Sequence, residues 1–478
     1  MIKGRVITVK DLLLSILVLS SVTKLVVLFS LTTKPSSLAP DENTYAWLSK
    51  WVANSQPANE FPYLGEILYL NGRSLIVPAS ILVRFGIHEQ YSVRLISVIY
   101  SILSALLVMY LLSRYFPKFG DRLNAERNQL LIVTLFAVFN FLPSRLLWSS
   151  VGLRESPNEF WVILALLGVF FFYRDEHPRK ILICTLIFIS IVGTFSSRPQ
   201  VGWVLVVSIL SYALFKIRSK ITFLLVTSVL TGLFAGYLAT TSFEYVTRDV
   251  YIAQDSTPTP TKDSTPTPTN LGEVVASKLC DGTKTKVEYK DKFYTCVKSG
   301  TVTKRERASN LAEVAINQVE VLPGKQIVNQ VGAASMIERL ACPWNESSDI
   351  GKYSCLVFRA PYMVLTFLFR PLLFIDTTSL SSVFAASENL LWIFMFALIV
   401  YRISRVKGIP FLAELAPALI FFSLYVVGAG SYEGNMGTAF RHKSLVLWVP
   451  LLLIFALTWH RGSPTKDSRG NNSQESAV

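Results

Sequence analysis

Apolar runs recur along the chain, separated by short polar connectors that are mostly basic. A spanning helix needs roughly 17–25 predominantly apolar residues. The pattern predicts ten spans: Asp11–Leu31, Ser92–Ser113, Gln129–Leu146, Asn158–Tyr173, Lys180–Phe195, Gln200–Phe215, Ile221–Thr241, Val383–Tyr401, Pro410–Gly428 and Ser444–Trp459. Several are short and must extend into their flanks. Between the first two runs, Asn43–Val52 carries Trp47 and Trp51 four apart, with Tyr45, Leu48 and Val52 at similar helical spacing. Ser74–Phe85 is apolar but short for a span. Both predict helices lying in the membrane interface, where aromatics sit at headgroup level. Phe358–Asp376 is apolar but broken by Pro361, Arg370 and Pro371. It predicts an outer-leaflet or re-entrant helix pair, tolerated where protein covers its broken backbone.

Composition agrees with this pattern. Of the 478 residues, 51% are hydrophobic and 16% charged, and mean hydropathy is +0.43. Soluble domains carry about 25% charged residues. The net charge of +14 would suit nucleic acid if it formed a patch. It is instead spread over connectors on alternate sides of the spans, which argues against a nucleic-acid partner. Lys3, Arg5 and Lys10 precede the first span; Arg114, Lys118, Arg122 and Arg127 follow the second; Arg174, Arg179 and Lys180 follow the fourth. Lys216, Arg218 and Lys220 follow the sixth, Arg402, Arg405 and Lys407 the eighth, and Arg461, Lys466 and Arg469 the tenth. All six clusters share one side if both termini are cytoplasmic, as the positive-inside rule expects. The first apolar run has no A-x-A-like exit, so an uncleaved span is expected rather than a signal peptide. The expected location is the plasma membrane.

The expected fold is an all-α polytopic membrane protein of about ten transmembrane helices with a small disulfide-bonded extracytoplasmic insertion. Residues 1–241 form a seven-span module and 242–270 a Thr/Pro-rich linker. Residues 271–357 form the insertion, 358–460 an interfacial helix with a three-span C-terminal module, and 461–478 a disordered cytoplasmic tail. The linker holds Asp255-Ser256-Thr257-Pro258-Thr259-Pro260-Thr261, repeated from Asp263 to Thr269. Such composition favours an extended spacer. Four of the five cysteines, Cys280, Cys296, Cys342 and Cys355, lie in the insertion, and Cys184 lies within a span. On an oxidising side four cysteines imply two disulfides in one of three pairings. The local pairing, Cys280–Cys296 and Cys342–Cys355, closes short loops, each stabilising by roughly 3 kcal/mol in the chain-entropy model. A zinc site is the alternative, but the spacings resemble no common zinc pattern. Ala308, Leu311, Ala312, Ala315 and Val319 show helical spacing, as do Val328, Val331 and Met336 more loosely.

Candidate chemistry gathers on the outer side. Leu38-Ala39-Pro40-Asp41-Glu42-Asn43-Thr44-Tyr45 puts two adjacent carboxylates just beyond the first span. Arg145 and Arg154 lie in the outer turn Pro143–Pro157 and Arg198 in the next, Ser196–Gln200. Arginine at outer helix ends runs against the positive-inside trend, and its fork suits a phosphate or carboxylate. A plain ion pair, such as Arg154 with Glu155, or snorkelling to headgroups is the simpler alternative. The last outer turn, Gly428–Lys443, combines flexible glycines with Glu433, Arg441, His442 and Lys443. Its three consecutive donors suit a phosphate or pyrophosphate; a solvated loop whose basic end contacts anionic membrane-lipid headgroups is the simpler alternative. Asp41 also suits an N-cap of a helix beginning at Glu42.

The order of a span, an outer loop with Pro40-Asp41-Glu42-x-x-Tyr45, interfacial helices and Val93-Arg94-Leu95 opening the second span resembles the GT-C glycosyltransferases. The likeness is to the protein-mannosyltransferase and aminoarabinose-transferase-like branch. Pro143–Glu155 and Asn435–Lys443 also resemble its bacterial members; Leu271–Cys355 lies outside the likeness. The resemblance implies inverting transfer from a polyprenyl-phosphate sugar donor to a cell-envelope glycan, lipid or protein on the outer face. It implies that Asp41 is the general base and that Glu42 orients the base or acceptor. Arg145, Arg154, Arg198, Arg441, His442 and Lys443 are expected to stabilise the departing phosphate, from topology rather than motif. No cofactor is required by the sequence, and metal dependence is left open. Polysaccharide polymerases and O-antigen ligases are a neighbouring class, with arginines in a large outer loop; here Arg305, Arg307, Arg339 and Arg359 qualify. A lipid-linked-sugar flippase or transporter is the non-enzymatic alternative. It would favour charged or broken residues near span centres and repeated halves.

Overall fold

The computed structural model describes residues 9–32, 40–55, 71–112, 125–174, 180–216, 286–289, 292–296, 302–303, 358, 361–373, 376, 380–405, 412–432 and 436–459. Its helices in chain order are α1 (Val9–Thr32), α2 (Pro40–Ala53), α3 (Arg73–Arg84), α4 (Glu89–Tyr110), α5 (Ala125–Phe141), α6 (Pro143–Ser150), α7 (Glu155–Arg174), α8 (Lys180–Ser197) and α9 (Pro199–Lys216). Then follow α10 (361–369), α11 (Leu380–Arg405), α12 (Leu412–Tyr432), α13 (Met436–Lys443) and α14 (Trp448–Trp459). The chain divides into two compact units. One holds Met1–Ala213, Leu368–Val426 and Phe440–Val478; the other holds Leu214–Phe367 and Val427–Ala439.

The first unit is an inside-out helical bundle. On α1, Leu12, Leu14, Val18, Leu19, Val22, Val26 and Phe29 face outward, while Leu13, Leu17, Ser20, Lys24 and Leu28 are buried. The buried positions recur three or four apart, one helical face. That face carries the polar groups, and the exposed face is apolar, as hydrocarbon surroundings require. Helix α8 repeats the arrangement. Ile181, Leu182, Phe188, Ile189 and Val192 face outward, and Ser190, Gly193, Thr194 and Ser197 are buried. The small residues let α7 and α8 pack closely. A Cβ at Gly193 would collide with the Trp161 indole, and one at Gly168 would lie 2.7 Å from Ile187.

Among the described residues, five helices are long and apolar enough to cross a membrane, or up to seven if each bent pair is one span. The polytopic membrane class therefore stands at this coarser level. Bending accounts for two differences from the ten expected spans. Helices α5 and α6 meet at 47°, where Pro143 opens α6 without an N–H for the preceding turn. The helical stretch Gly437–Val446 meets Trp448–Thr458 at 45°. Pro199–Leu214 and Leu415–Gly430 are shorter apolar helices. The expected span Ile221–Thr241, the Thr/Pro tract, the tail 461–478 and the helical stretches expected over 308–336 lie outside the described residues.

Helices α2 and α3 are the two short helices expected in the first outer loop. Acidic Asp41 and Glu42 occupy the first turn of α2, where they complement the helix dipole. The helix starts at Pro40, so Asp41 lies inside the first turn rather than at the N-cap before Glu42. Tyr45, Ala46 and Leu48 of α2 pack with Leu75, Ile76 and Ala79 of α3, Val93 and Ile96 of α4, and Val151 and Leu153. Arg84 of α3 closes the other end of α2. It donates to the carbonyls of Ala53 (3.1 Å) and Val52 (3.3 Å), a cation at a helix C-terminus.

The second unit contains a feature the all-α expectation missed. Strands β1 (Lys286–Tyr289), β2 (Lys292–Cys296) and β3 (Val302–Thr303) form an antiparallel sheet in the order β1-β2-β3. Tyr289 pairs with Lys292, and Cys296 with Val302. Val287, Tyr289, Phe293, Tyr294 and Thr295 are strand-favouring residues. Of the four cysteines of the expected insertion only Cys296 has a described backbone, so the pairing Cys280–Cys296 and Cys342–Cys355 lies outside the described residues. Cys184 on α8 is free and exposed on the apolar face.

Candidate active site

Helix ends supply the polar residues that converge in the first unit. Asp41 stands in the first turn of α2, and Tyr45 follows one turn later on the same face. Glu155 opens α7, an acid where the helix dipole favours one. Arg198 sits at the corner between α8 and α9. Its N–H donates to Thr194 O at 2.8 Å, while its carbonyl accepts from Val201 and Gly202 at 3.0 and 3.1 Å. Arg441 and His442 lie in the last turn of α13.

Glu155 is the hub. Arg441 Nε lies 3.0 Å and Arg198 Nη2 3.3 Å from its Oε1, and His442 Nε2 is 3.8 Å away. Arg441 reaches onward through Nη1 to Asp41 Oδ2 at 3.4 Å, joining residues 400 apart in sequence. The side chains of Glu155, His442 and Arg198 are 4%, 3% and 6% exposed, whereas that of Asp41 is 46% exposed. The site thus has a buried floor and one open carboxylate. Arg154 adds positive field at both Glu155 and Tyr45, and donates to Asn71 O at 3.4 Å. The plain pair of Arg154 with Glu155, the simpler alternative, gives way to Arg198 and Arg441 as the ion-pair partners of Glu155. Burial pushes the Tyr45 phenol above its usual pKa, so it is neutral near pH 7.

Comparison of the chain with protein-family models, curated proteins and solved structures finds no match. The site is therefore read from its own chemistry.

Three expected site residues stand elsewhere. Glu42, assigned to orient base or acceptor, is fully buried, and both its oxygens face the Arg94 fork, with Nη2 at 3.1 Å from Oε2. It also accepts from Gly152 N–H at 3.2 Å. Gly152 is required there, because a Cβ would collide with Val93. Glu42 is thus a clamp joining α2, α4 and the α6–α7 turn. Arg145 points into the bundle, where it pairs with Glu159, donates to Ser101 O at 3.3 Å and stacks 3.7 Å above Phe139. Lys443 spends its three donors on Leu368 O (3.2 Å), Arg370 O (3.0 Å) and Asn389 Oδ1 (2.5 Å). It fastens the loop after α10 to α11. Arg370 and Asp376 pair within that loop, and the guanidinium holds the Asp376 carboxyl below its usual range. Glu388 of α11 accepts from the Ser144 N–H at 2.7 Å, capping the start of α6.

Glu155 and Tyr45 escaped the sequence reading as site residues. In the sequence Glu155 stands out only as a partner for Arg154, and Tyr45 only as a position of an interfacial helix and of the Pro40-Asp41-Glu42-x-x-Tyr45 pattern. Asn158 carried a signal: with Glu159 it puts polar groups at the start of an expected span, where they are costly and usually functional. Among the described residues, no group of three or more His, Cys, Asp or Glu side chains is arranged to hold a metal ion.

Proposed function

We propose that this chain is a GT-C-like membrane glycosyltransferase. It moves a sugar from a polyprenyl-phosphate donor to a cell-envelope acceptor on the extracytoplasmic face, with Asp41 as base. The observation that carries this reading is the half-open Asp41 carboxylate at the rim of a buried cationic cluster. Asp41 takes the acceptor hydroxyl proton while the acceptor oxygen bonds to C1 of the sugar. The bond from C1 to the phosphate oxygen breaks, and its electrons leave on polyprenyl phosphate, with inversion at C1. Arg154, Arg198 and Arg441 outnumber Asp41 and Glu155 by one positive charge, which suits a phosphate that gains negative charge as it departs. Being held by Glu155, the Arg198 and Arg441 guanidiniums need little reorganisation as that charge develops.

The test is transfer from radiolabelled lipid-linked sugars to envelope acceptors by purified protein in liposomes. Asp41→Asn should lower turnover roughly 100-fold or more, the scale of a general base. Near-normal transfer by this variant refutes the assignment.

One observation favours a second reading, a lipid-linked-sugar flippase. Lys24, Arg145 and Glu159 are buried in the bundle, with Lys24 Nζ donating to Ser101 Oγ at 2.9 Å, and two helix pairs are sharply bent. A flippase would keep its lipid-translocation rate in Asp41→Asn while losing it in Lys24→Met. The arginines that would favour a polymerase or ligase, Arg305, Arg307, Arg339 and Arg359, lie outside the described residues.

A further inference from the structure

Beside the ion network lies a set of buried polar atoms without hydrogen bonds. Tyr45 Oη, Arg154 Nε, Glu155 Oε2 and both amide atoms of Asn158 have no partner among the described residues. Tyr45 and Asn158 are each 1% exposed and Glu155 is 4% exposed. Leaving such groups unsatisfied is costly, so native proteins rarely do so without a reason. Their positions are related. Asn158 follows Glu155 by three residues on α7, which puts both on one face. Tyr45 is within electrostatic reach of Arg154, Asp41, Glu155 and Arg198.

The donor and acceptor types narrow the ligand. Arg154 Nε and one Asn158 amide atom can only donate. Glu155 Oε2 and the other amide atom can only accept, and the Tyr45 hydroxyl does either. Reversing the Asn158 amide leaves this inventory unchanged. A phosphate only accepts, so it leaves Glu155 Oε2 and the amide oxygen unmet. An ammonium only donates, so it leaves Arg154 and the amide nitrogen unmet. Hydroxyl groups donate and accept at once, and neighbouring hydroxyls on a ring supply both in a fixed array.

We propose that Tyr45, Glu155 and Asn158 read the hydroxyl groups of the transferred sugar, beside the arginines that hold its phosphate. This rests on the glycosyltransferase reading above and adds the residues that set sugar specificity. Each lost hydrogen bond in such a site weakens binding by about tenfold. A site built for a hydroxyl also rejects the analogue lacking it, because its own polar atoms are left unpaired.

The experiment measures binding to the purified full-length protein in detergent, by thermal shift over a ligand titration. The probes are bare short-chain polyprenyl phosphate; its glucose, mannose, galactose and arabinose derivatives; and the monodeoxy forms of the tightest of these. Wild type should bind at least one sugar derivative more tightly than the bare phosphate, and one deoxy form should bind about tenfold more weakly. In Tyr45→Phe or Asn158→Leu that tenfold preference should vanish, with affinity for bare polyprenyl phosphate unchanged. A purely structural role would lower both affinities together and leave the preference intact. The inference is overturned if both variants discriminate as wild type does. It is also overturned if no sugar adds to the affinity of the bare phosphate, since water alone then fills the site. The deoxy series on wild type decides the second point without any variant. Failure of wild type to bind any probe, bare phosphate included, instead removes the glycosyltransferase reading beneath it.

Discussion

Asp41 and Glu42 are neighbours with the same charge, yet their neutral variants should behave in opposite ways. Glu42 is fully buried, and Arg94 beside it has a side chain only 1% exposed. Glu42→Gln keeps the shape and still accepts from Gly152, but strands the Arg94 charge in the bundle. Removing one partner of a buried pair destabilises by about 3–5 kcal/mol. Asp41 lies 3.4 Å from Arg441 Nη1, and its own side chain is 46% exposed. Screening by solvent limits such a pair to about 1 kcal/mol or less. Asp41→Asn should therefore fold and melt like wild type while losing transfer.

The assay heats purified protein in detergent and follows the fraction that stays monodisperse on a sizing column. Glu42→Gln should melt well below wild type or fail to accumulate. Adding Arg94→Met removes the stranded charge and should recover more than half of the loss, because replacing a buried ion pair by well-packed neutral groups is often near neutral. The reasoning fails if Glu42→Gln melts with wild type, or if Asp41→Asn is the less stable of the two.

Other elements give sharp expectations. Lys443→Met should destabilise by about 3 kcal/mol through the hydrogen bonds lost to the loop and Asn389; unchanged affinity for bare polyprenyl phosphate, measured by thermal shift, checks that its role is structural. Gly193→Ala forces a methyl into the Trp161 indole and should lower the melting point by the equivalent of about 1–3 kcal/mol. Single cysteines introduced at positions 41 and 122 should label from opposite sides of the membrane with an impermeant reagent; labelling from one side overturns the expected topology.

The elements of the first unit were legible because hydrocarbon surroundings simplify the code. Apolar run length locates α1, α4, α7, α8 and α11, and the paired tryptophans with acids before them locate α2. Bends were less legible. Gln129–Leu146 reads as one run, and only Pro143 marks the corner that turns α6 and frees the Ser144 N–H for Glu388. The sheet was lost because strands of five residues or fewer leave little periodicity. At the site, the side-of-membrane argument selects residues of similar depth but not their direction. It brought Arg154, Arg198, Arg441 and His442 to one place with Asp41. It could not tell that Arg145 turns inward to Glu159, nor that Lys443 is consumed by the loop after α10. Partner choice is tertiary: Glu42 finds Arg94 from 52 residues away, and Glu155 prefers Arg198 and Arg441 to its own neighbour.

One face of α7 links these outcomes. Glu155, Asn158 and Glu159 recur at helical spacing on it, and the acids at its two ends have different cations. Glu155 holds Arg198 and Arg441, while Glu159, about 6 Å deeper by helical rise, holds Arg145. Buried charges in an apolar bundle persist only when paired, so each acid fixes its arginines rigidly. Glu42 is likewise closed by Arg94. Among the described carboxylates of this cluster, Asp41 is the exposed one, and it stands beside Arg441. For the proposed transfer, the paired cations would stand ready for the leaving phosphate while the open carboxylate stays reachable by an acceptor. Glu42, Glu155 and Glu159 are thus closed off by the arginines that pair with them, and Asp41 is the open carboxylate to which the proposed function assigns the base.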